Sequence, residues 1–157
     1  MNKFLPLCLL LGALSACNTS DDDKDMTLPA ISNPTSEAAC PADCQVFHRG
    51  DEIAFCYLFT DNVELGNYNI EIHNNFDHHT HSTSSVECDF EPNKVAGANA
   101  WVYSETYPVP SGQKEFLSHV FITVPQNAEP GDYHFMIKLT DQAGWQQYKA
   151  VAIKVVE

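Results

Sequence analysis

Four of the chain's seven histidines lie close together in the stretch IEIHNNFDHHTH. Neutral imidazole is a common ligand for zinc and copper in proteins. His79 and His81 are separated by one residue, so both rings lie on one side if the segment is extended. Adding His73 or His78 gives the three ligands of an open zinc site, with Asp77, water or a partner group as a fourth. Glu71 or Asp77 could instead orient an imidazole. The stretch therefore predicts a zinc or copper site, with a polar loop as the alternative.

The elements that must position these side chains are short β-strands. Apolar runs of about five to nine residues alternate with turn signals, and no sustained helical period is present. About seven strands in one domain favour an all-β immunoglobulin-like (fibronectin III-like) β-sandwich. Two of the clearest strand-like runs are Ile53–Phe59 and Phe116–Val124. The segment GDYHFMIKLTDQAG resembles strand F of immunoglobulin-like domains, in which Tyr133 would be the corner tyrosine that bonds back to the backbone.

Alternation of apolar and polar residues indicates which histidines can meet. Every second residue from Tyr68 is apolar, so His73 should point away from the core. The same alternation from Tyr133 turns His134 outward. These two strands are neighbours in an immunoglobulin-like sheet, so we expect His73 and His134 to share its outer face. His119 also leaves the apolar side, but its strand is expected in the other sheet.

The beginning of the chain predicts an envelope lipoprotein. Residues 1–16 form a signal peptide with a positive Lys3, an apolar run and the sequence LSAC, so Cys17 is the expected lipidated residue. The acidic run in residues 17–27 predicts a flexible, solvated tether and resembles the surface-export signal of Bacteroidota lipoproteins. We expect residues 28–157 to form the sandwich domain. The predicted location is the outer membrane, lipid-anchored at the cell surface, with its periplasmic face as the alternative.

Cysteine usage fits an oxidising compartment. Cys40, Cys44, Cys56 and Cys88 form an even set, which predicts two disulfides with three possible pairings. A thiolate metal site in Cys40-Pro41-Ala42-Asp43-Cys44 is the less favoured alternative. The segment from Asn74 to about Ala100 is long and irregular, and Cys88 within it suggests that a disulfide holds this loop.

Charge limits the possible partners. The chain has 21 acidic and 8 basic residues, a net charge of −13, and loss of residues 1–16 would make it one unit more negative. Such a chain is repelled by nucleic acid and by anionic lipid headgroups. An acidic surface instead favours cations, which agrees with a metal site.

The sequence supports three other functions less well than metal binding. We do not expect an enzyme, because no phosphate loop, Gly-x-Ser-x-Gly or His-Glu-x-x-His motif is present; a catalytic zinc with Glu71 as base would need a deep cleft. Haem binding through His134 and Met136 is less favoured, because the sequence does not indicate an apolar haem pocket. A surface binding module or adhesin for protein or glycan would use aromatic anchors, for which the candidates are Trp101, Tyr103, Tyr107 and Trp145.

The pattern I-H-x-N-F-D-H-H-x-H, followed by a Gly-x-Tyr-His strand and an Asp-x-x-Gly turn, resembles domain-of-unknown-function family 4625, which comprises predicted lipoproteins of Bacteroidota. The resemblance runs from about Leu28 to Val156 and implies an immunoglobulin-like fold and an envelope address. One departure is Trp145, where asparagine is expected. The hallmark residues it implies are His73, Asn75, Phe76, Asp77, His78, His79, His81 and His134. The leading prediction is a tethered protein that captures metal or hands it on near an outer-membrane transporter.

Overall fold

The computed structural model describes residues 24–80 and 88–157, and these residues form ten β-strands. The predicted signal peptide, Cys17 and His81 lie outside the described residues. No helix in the described segments is long and apolar enough to cross a membrane. The strands are β1 (Ala30–Ser32), β2 (Gln45–His48), β3 (Glu52–Phe55), β4 (Leu58–Thr60), β5 (Leu65–Asn74), β6 (Tyr103–Pro108), β7 (Glu115–Leu117), β8 (Val120–Thr123), β9 (Gly131–Asp141) and β10 (Gln146–Val156).

The larger layer is a five-stranded sheet in the order β2-β10-β9-β5-β6. Its central strand, β9, pairs antiparallel with β10 on one side and with β5 on the other. Strand β2 joins the edge of β10 in parallel, and β6 pairs antiparallel with β5. The predicted adjacency of the two histidine-bearing strands is confirmed, because β5 and β9 are hydrogen-bonded partners.

The second layer consists of two smaller sheets, β1-β4-β7 and β3-β8. Their aromatic side chains pack directly on those of the larger sheet. The ring of Phe55 in β3 stacks on Tyr68 of β5 and on Phe135 of β9, with centroid distances of 5.9 and 5.7 Å. Phe59 of β4 lies 4.9 Å from Tyr68. One apolar core therefore joins both layers, as the predicted all-β sandwich requires.

The smaller layer has more strands than predicted because one contact interrupts two runs. The backbone N–H of Tyr57 donates to the Ser118 hydroxyl at 3.0 Å, and the Ser118 N–H donates to the Tyr57 carbonyl at 3.0 Å. A side-chain hydroxyl thus takes the place of a backbone partner between the strands. The predicted run Ile53–Phe59 becomes β3 and β4, and Phe116–Val124 becomes β7 and β8.

The predicted tyrosine corner is present. The hydroxyl of Tyr133 donates to the backbone carbonyl of Glu129 at 2.6 Å and accepts from the N–H of Trp101 at 3.2 Å. Tyr133 is fully buried, and this burial raises its pKa. The corner ties the beginning of β9 to the segment that leads into β6.

One predicted disulfide forms and the other does not. Cys44 and Cys88 are joined with a Cα–Cα distance of 5.4 Å, which holds the long loop after β5 against the segment before β2. Cys40 and Cys56 are free thiols, contrary to the prediction of a second disulfide. Their backbones face each other as an antiparallel bridge, but the Cys56 thiol bonds to Glu37. Because Cys44 is oxidised, the alternative thiolate site with Cys40 is also lost.

Candidate metal centre

The centre begins with two histidines on adjacent strands. His73 of β5 and His134 of β9 are direct register partners. Ile72 and Phe135, the neighbours of these residues along each strand, are fully buried in the core. Because side chains alternate along a strand, both imidazoles lie on the opposite, outer face of the sheet. The predicted orientation is therefore confirmed, although His134 is only 4% exposed.

The loop after β5 brings a third imidazole over this pair. The N–H of Asn75 donates to the backbone carbonyl of Asp132 at 2.8 Å. The buried ring of Phe76 packs edge-on against Tyr133 at 5.3 Å. These two contacts fold the loop back onto the start of β9, so that His79 returns to the outer face of the sheet.

Two backbone positions allow this turn. Gly131 has a φ of 145°, and a Cβ atom at this position would lie 2.6 Å from a ring carbon of Phe76. Only glycine lets the Phe76 ring approach the strand so closely. His78 has a φ of 56°, in the left-handed region that non-glycine residues seldom occupy. This turn at His78 directs the side chains of His78 and His79 to different places.

Three imidazoles meet at this point, and we call His73, His79 and His134 the histidine trio. The Nε2 atoms of His73 and His79 are 3.3 Å apart. The ring of His134 stands nearly perpendicular to both, with centroid distances of 5.5 Å to His73 and 4.9 Å to His79. One ring nitrogen from each of the three lies within 4.8 Å of the other two.

Two carboxylates orient His73 and His79, the two less buried members of the histidine trio. The Nδ1 atom of His73 is 3.1 Å from Glu71 Oε1, and that of His79 is 2.6 Å from Asp77 Oδ1. A ring that donates its Nδ1–H to a carboxylate has its lone pair on Nε2. The hydrogen bond with His79 lowers the pKa of Asp77, which keeps this carboxylate ionised. Both Nε2 atoms are thereby prepared as ligands.

The spacing of these nitrogens suits a shared cation. Two imidazole lone pairs that approach to 3.3 Å repel unless a proton or a metal ion lies between them. In a tetrahedral zinc site with Zn–N bonds of about 2.0–2.1 Å, two ligand nitrogens are separated by about 3.3 Å. All three donors of the histidine trio are imidazoles, the ligand type that suits zinc and copper.

The remaining residues of the predicted cluster have other positions. The ring of His78 stacks on Phe90 at 4.8 Å, and its Nε2 lies 3.6 Å from Asp132 Oδ2. The structure therefore does not bring His78 into the histidine trio. Asp77 contacts the Nδ1 atom of His79, so it would orient a metal ligand and would not bind the metal itself. The position of His81 lies outside the described residues.

The aromatic residues proposed as anchors do not form one exposed platform. Trp101 is buried beneath the corner tyrosine. The hydroxyls of Tyr103 and Tyr107 are 2.5 Å apart, and the Tyr107 ring stacks on the core residue Tyr68. Trp145 is partly exposed, but its Nε1–H donates to the carbonyl of Asp25. These contacts give the aromatic side chains structural partners within the domain.

A groove of about 290 Å³ lies beside His73 on the outer face of the sheet. Its lining mixes polar and apolar side chains and includes Glu71, Met136 and Lys138. The charged side chains in this lining do not suit haem, which needs an apolar pocket. His119, as predicted, adjoins a strand of the other layer, where it lies 3.6 Å from Glu37.

Sequence reasoning missed Asp132, which organises the other side of the loop. This carboxylate is buried, accepts the N–H of Glu91 at 2.8 Å and lies 3.9 Å from the Lys154 ammonium. It thereby holds the segment after the disulfide against β9, and its Oδ2 atom faces the His78 ring. The available signal was its spacing of two from His134, which places both side chains on the outer face.

Comparison with known proteins identifies the family of the chain. No curated protein matches the chain. A family model described as "Domain of unknown function (DUF4625)" matches residues 15–156, which covers the histidine stretch, the corner tyrosine and all ten strands. The chain therefore belongs to the DUF4625 family.

Proposed function

We propose that the histidine trio binds one zinc or copper ion in a membrane-anchored lipoprotein that captures metal or hands it on at the cell envelope. The observation that carries this proposal is the 3.3 Å approach of two Nε2 atoms whose rings are each held by a carboxylate at the opposite nitrogen. Carboxylate–imidazole pairs of this kind orient metal ligands and raise their basicity.

The burial of the three ligands suits an ion that exchanges. His134 is buried on the rigid central strand, His73 is partly covered, and His79 is exposed on the loop. The sheet would hold the ion from below, and movement of the loop would release it. Water, His81 or a group of a partner protein would occupy the remaining coordination position.

The envelope address is supported by the sequence before the domain. The apolar run that ends in LSAC makes Cys17 the proposed lipidation site, and the acidic tether fits export to the cell surface. A lipid anchor would hold the domain close to an outer-membrane transporter, which is the partner class that we propose. The net charge of −13 would raise the local concentration of cations around it.

The experiment is equilibrium binding of Zn²⁺ and Cu²⁺ to protein without a His tag, measured for the wild type, His79→Ala and His48→Ala. The control residue His48 has a side chain 64% exposed and lies outside the histidine trio. We expect one ion per chain, retained by His48→Ala and greatly weakened in His79→Ala. Equal affinity in all three proteins, or none in the wild type, would contradict the proposal.

A further inference from the structure

Three aspartates from separate parts of the chain converge at a second place. Asp25 precedes β1, Asp61 follows β4 directly, and Asp141 is the last residue of β9. One carboxylate oxygen from each lies within 4.8 Å of the other two. Because carboxylates at this distance repel one another, the fold must supply a reason for holding them together.

The backbone around two of these residues fixes how they point. Asp61 Oδ1 accepts from the N–H groups of Val63 and Glu64 at 2.8 and 2.7 Å. Asp141 Oδ1 accepts from the N–H of Trp145 at 2.8 Å, across the turn between β9 and β10. Each carboxylate therefore uses one oxygen to cap its own turn and leaves the other available.

The second carboxylate oxygen of each of these two residues is unusual. Asp61 Oδ2 and Asp141 Oδ2 are both buried and accept no hydrogen bond from any residue that the structure describes. The whole Asp141 residue is 3% exposed. Burial of a carboxylate oxygen without a hydrogen-bond partner is unfavourable, because the oxygen loses its water and gains nothing in exchange. A cation between the carboxylates would remove this cost and their mutual repulsion together.

The third aspartate is held in place by contacts to both turns. Asp25 Oδ1 accepts from the N–H of Thr27 at 3.0 Å and from the side-chain amide of Asn62 at 3.1 Å. The carbonyl of Asp25 accepts from the Trp145 indole N–H at 2.8 Å. This residue therefore has a defined position beside Asp61 and Asp141, although it precedes the first strand.

We propose that Asp25, Asp61 and Asp141 bind a Ca²⁺ ion, at a site separate from the histidine trio. All three donors are hard oxygens, which zinc and copper sites seldom use alone and which Ca²⁺ prefers. Ca²⁺ accepts six to eight oxygen ligands in irregular geometry, so water molecules can complete the shell. Mg²⁺ demands a near-octahedral arrangement and dehydrates reluctantly, so we expect it to bind more weakly.

The consequence of such an ion is mechanical. It would join the segment that enters the domain to the ends of β4 and β9, at the boundary between the proposed tether and the sandwich. Removal of the ion would free Asp25 and its neighbours without disturbing the core. For a site of three carboxylates in an extracellular module, we expect a dissociation constant on the order of 10⁻⁴–10⁻³ M.

Terbium luminescence tests this directly, because Tb³⁺ replaces Ca²⁺ and is sensitised by a nearby indole. The Trp145 indole N–H bonds to Asp25, so excitation of tryptophan should produce terbium emission that Ca²⁺ removes by competition. Trp145→Phe should abolish most of this emission, because it removes the sensitising indole. Asp25→Asn should weaken Ca²⁺ binding about tenfold or more, because affinity follows the charge of the ligands.

Two controls separate this site from the histidine trio and from general acidity. Asp89→Asn makes the same chemical change at an exposed aspartate outside the cluster and should retain wild-type Ca²⁺ affinity. His79→Ala should also leave it unchanged. Asp25 lies outside the strands and the core, so Asp25→Asn should still fold, which circular dichroism would check. The proposal would be overturned if the wild type binds no Ca²⁺ at Ca²⁺ concentrations up to about 10⁻² M, tenfold above the weakest expected dissociation constant. Equal Ca²⁺ affinity in Asp25→Asn and the wild type would also overturn it.

Discussion

Replacement of Asp77 by alanine would remove the carboxylate that holds His79 while leaving every histidine in place. Asp77 Oδ1 lies 2.6 Å from His79 Nδ1, and the Asp77 side chain is 73% exposed. Little packing is lost with a side chain this exposed. We therefore expect the urea-unfolding midpoint of the metal-free protein to stay close to that of the wild type.

The effect on metal affinity should be much larger. Loss of a group that orients a metal ligand typically lowers metal affinity by about 10–100-fold. The short, charge-assisted bond to His79 favours the upper part of that range. Asp77→Asn keeps an acceptor but loses the charge, so its affinity should fall between those of the wild type and Asp77→Ala.

Competition with a chromogenic zinc chelator would measure these affinities at pH 7.5 and pH 5.5. The hydrogen bond with His79 lowers the pKa of Asp77, so its contribution is present above the ordinary aspartate pKa and is lost only as the pH falls through a lower value. The carboxylate thus stays ionised across this interval. Weaker binding at pH 5.5 would reflect protons competing for imidazole, which titrates near pH 6.5 in free histidine.

The control is Asp89→Ala, an exposed carboxylate outside the histidine trio. It should leave zinc affinity unchanged. An orienting role of Asp77 is refuted if Asp77→Ala binds zinc as tightly as the wild type, or if Asp89→Ala loses as much affinity as Asp77→Ala. The first result would mean that the carboxylate does not orient a ligand, and the second that only net charge matters.

Four further predictions concern the β-sandwich and the membrane anchor. Tyr133→Phe should cost about 1–3 kcal/mol in urea unfolding, because the buried partners of its hydroxyl lose their hydrogen bonds. Reduction of Cys44–Cys88 should lower the free energy of unfolding by about 2–4 kcal/mol in the same assay. Burial raises the pKa of Cys56 to about 11 from 9.0. The contribution of this thiol to stability should therefore be complete below pH 9.0 and lost as the pH rises through about 11. Native Cys56 should resist iodoacetamide at about pH 8 and react with it in urea. Cys17→Ala should release the protein from the membrane fraction.

Period-two alternation is sufficient to predict the part of the candidate site that lies on strands. Burial of Tyr68 and Ile72 turns His73 outward, and the corner at Tyr133 fixes the phase of His134. The register that makes these histidines direct partners follows once the two strands are recognised as neighbours. Local pattern and fold type therefore agree in this part of the chain.

The direction of the loop histidines and the pairing of the cysteines could be read only from the folded structure. Whether His78 or His79 faces the sheet depends on the left-handed turn at His78, which strand periodicity does not encode. The cysteine pairing depends on which segments the sheets bring together, and Cys56 has Glu37 as a competing partner. The splitting of predicted strands at Ser118 likewise arises from one contact between distant segments.

The most direct test of the central claim is a crystal structure of the zinc-loaded protein with anomalous data collected on both sides of the zinc absorption edge. We expect one zinc peak about 2.0–2.1 Å from Nε2 of His73 and Nε2 of His79, with a nitrogen of His134 as a further ligand. A peak at the three aspartates, at His48 or nowhere, with the histidine trio free of metal, would contradict the account.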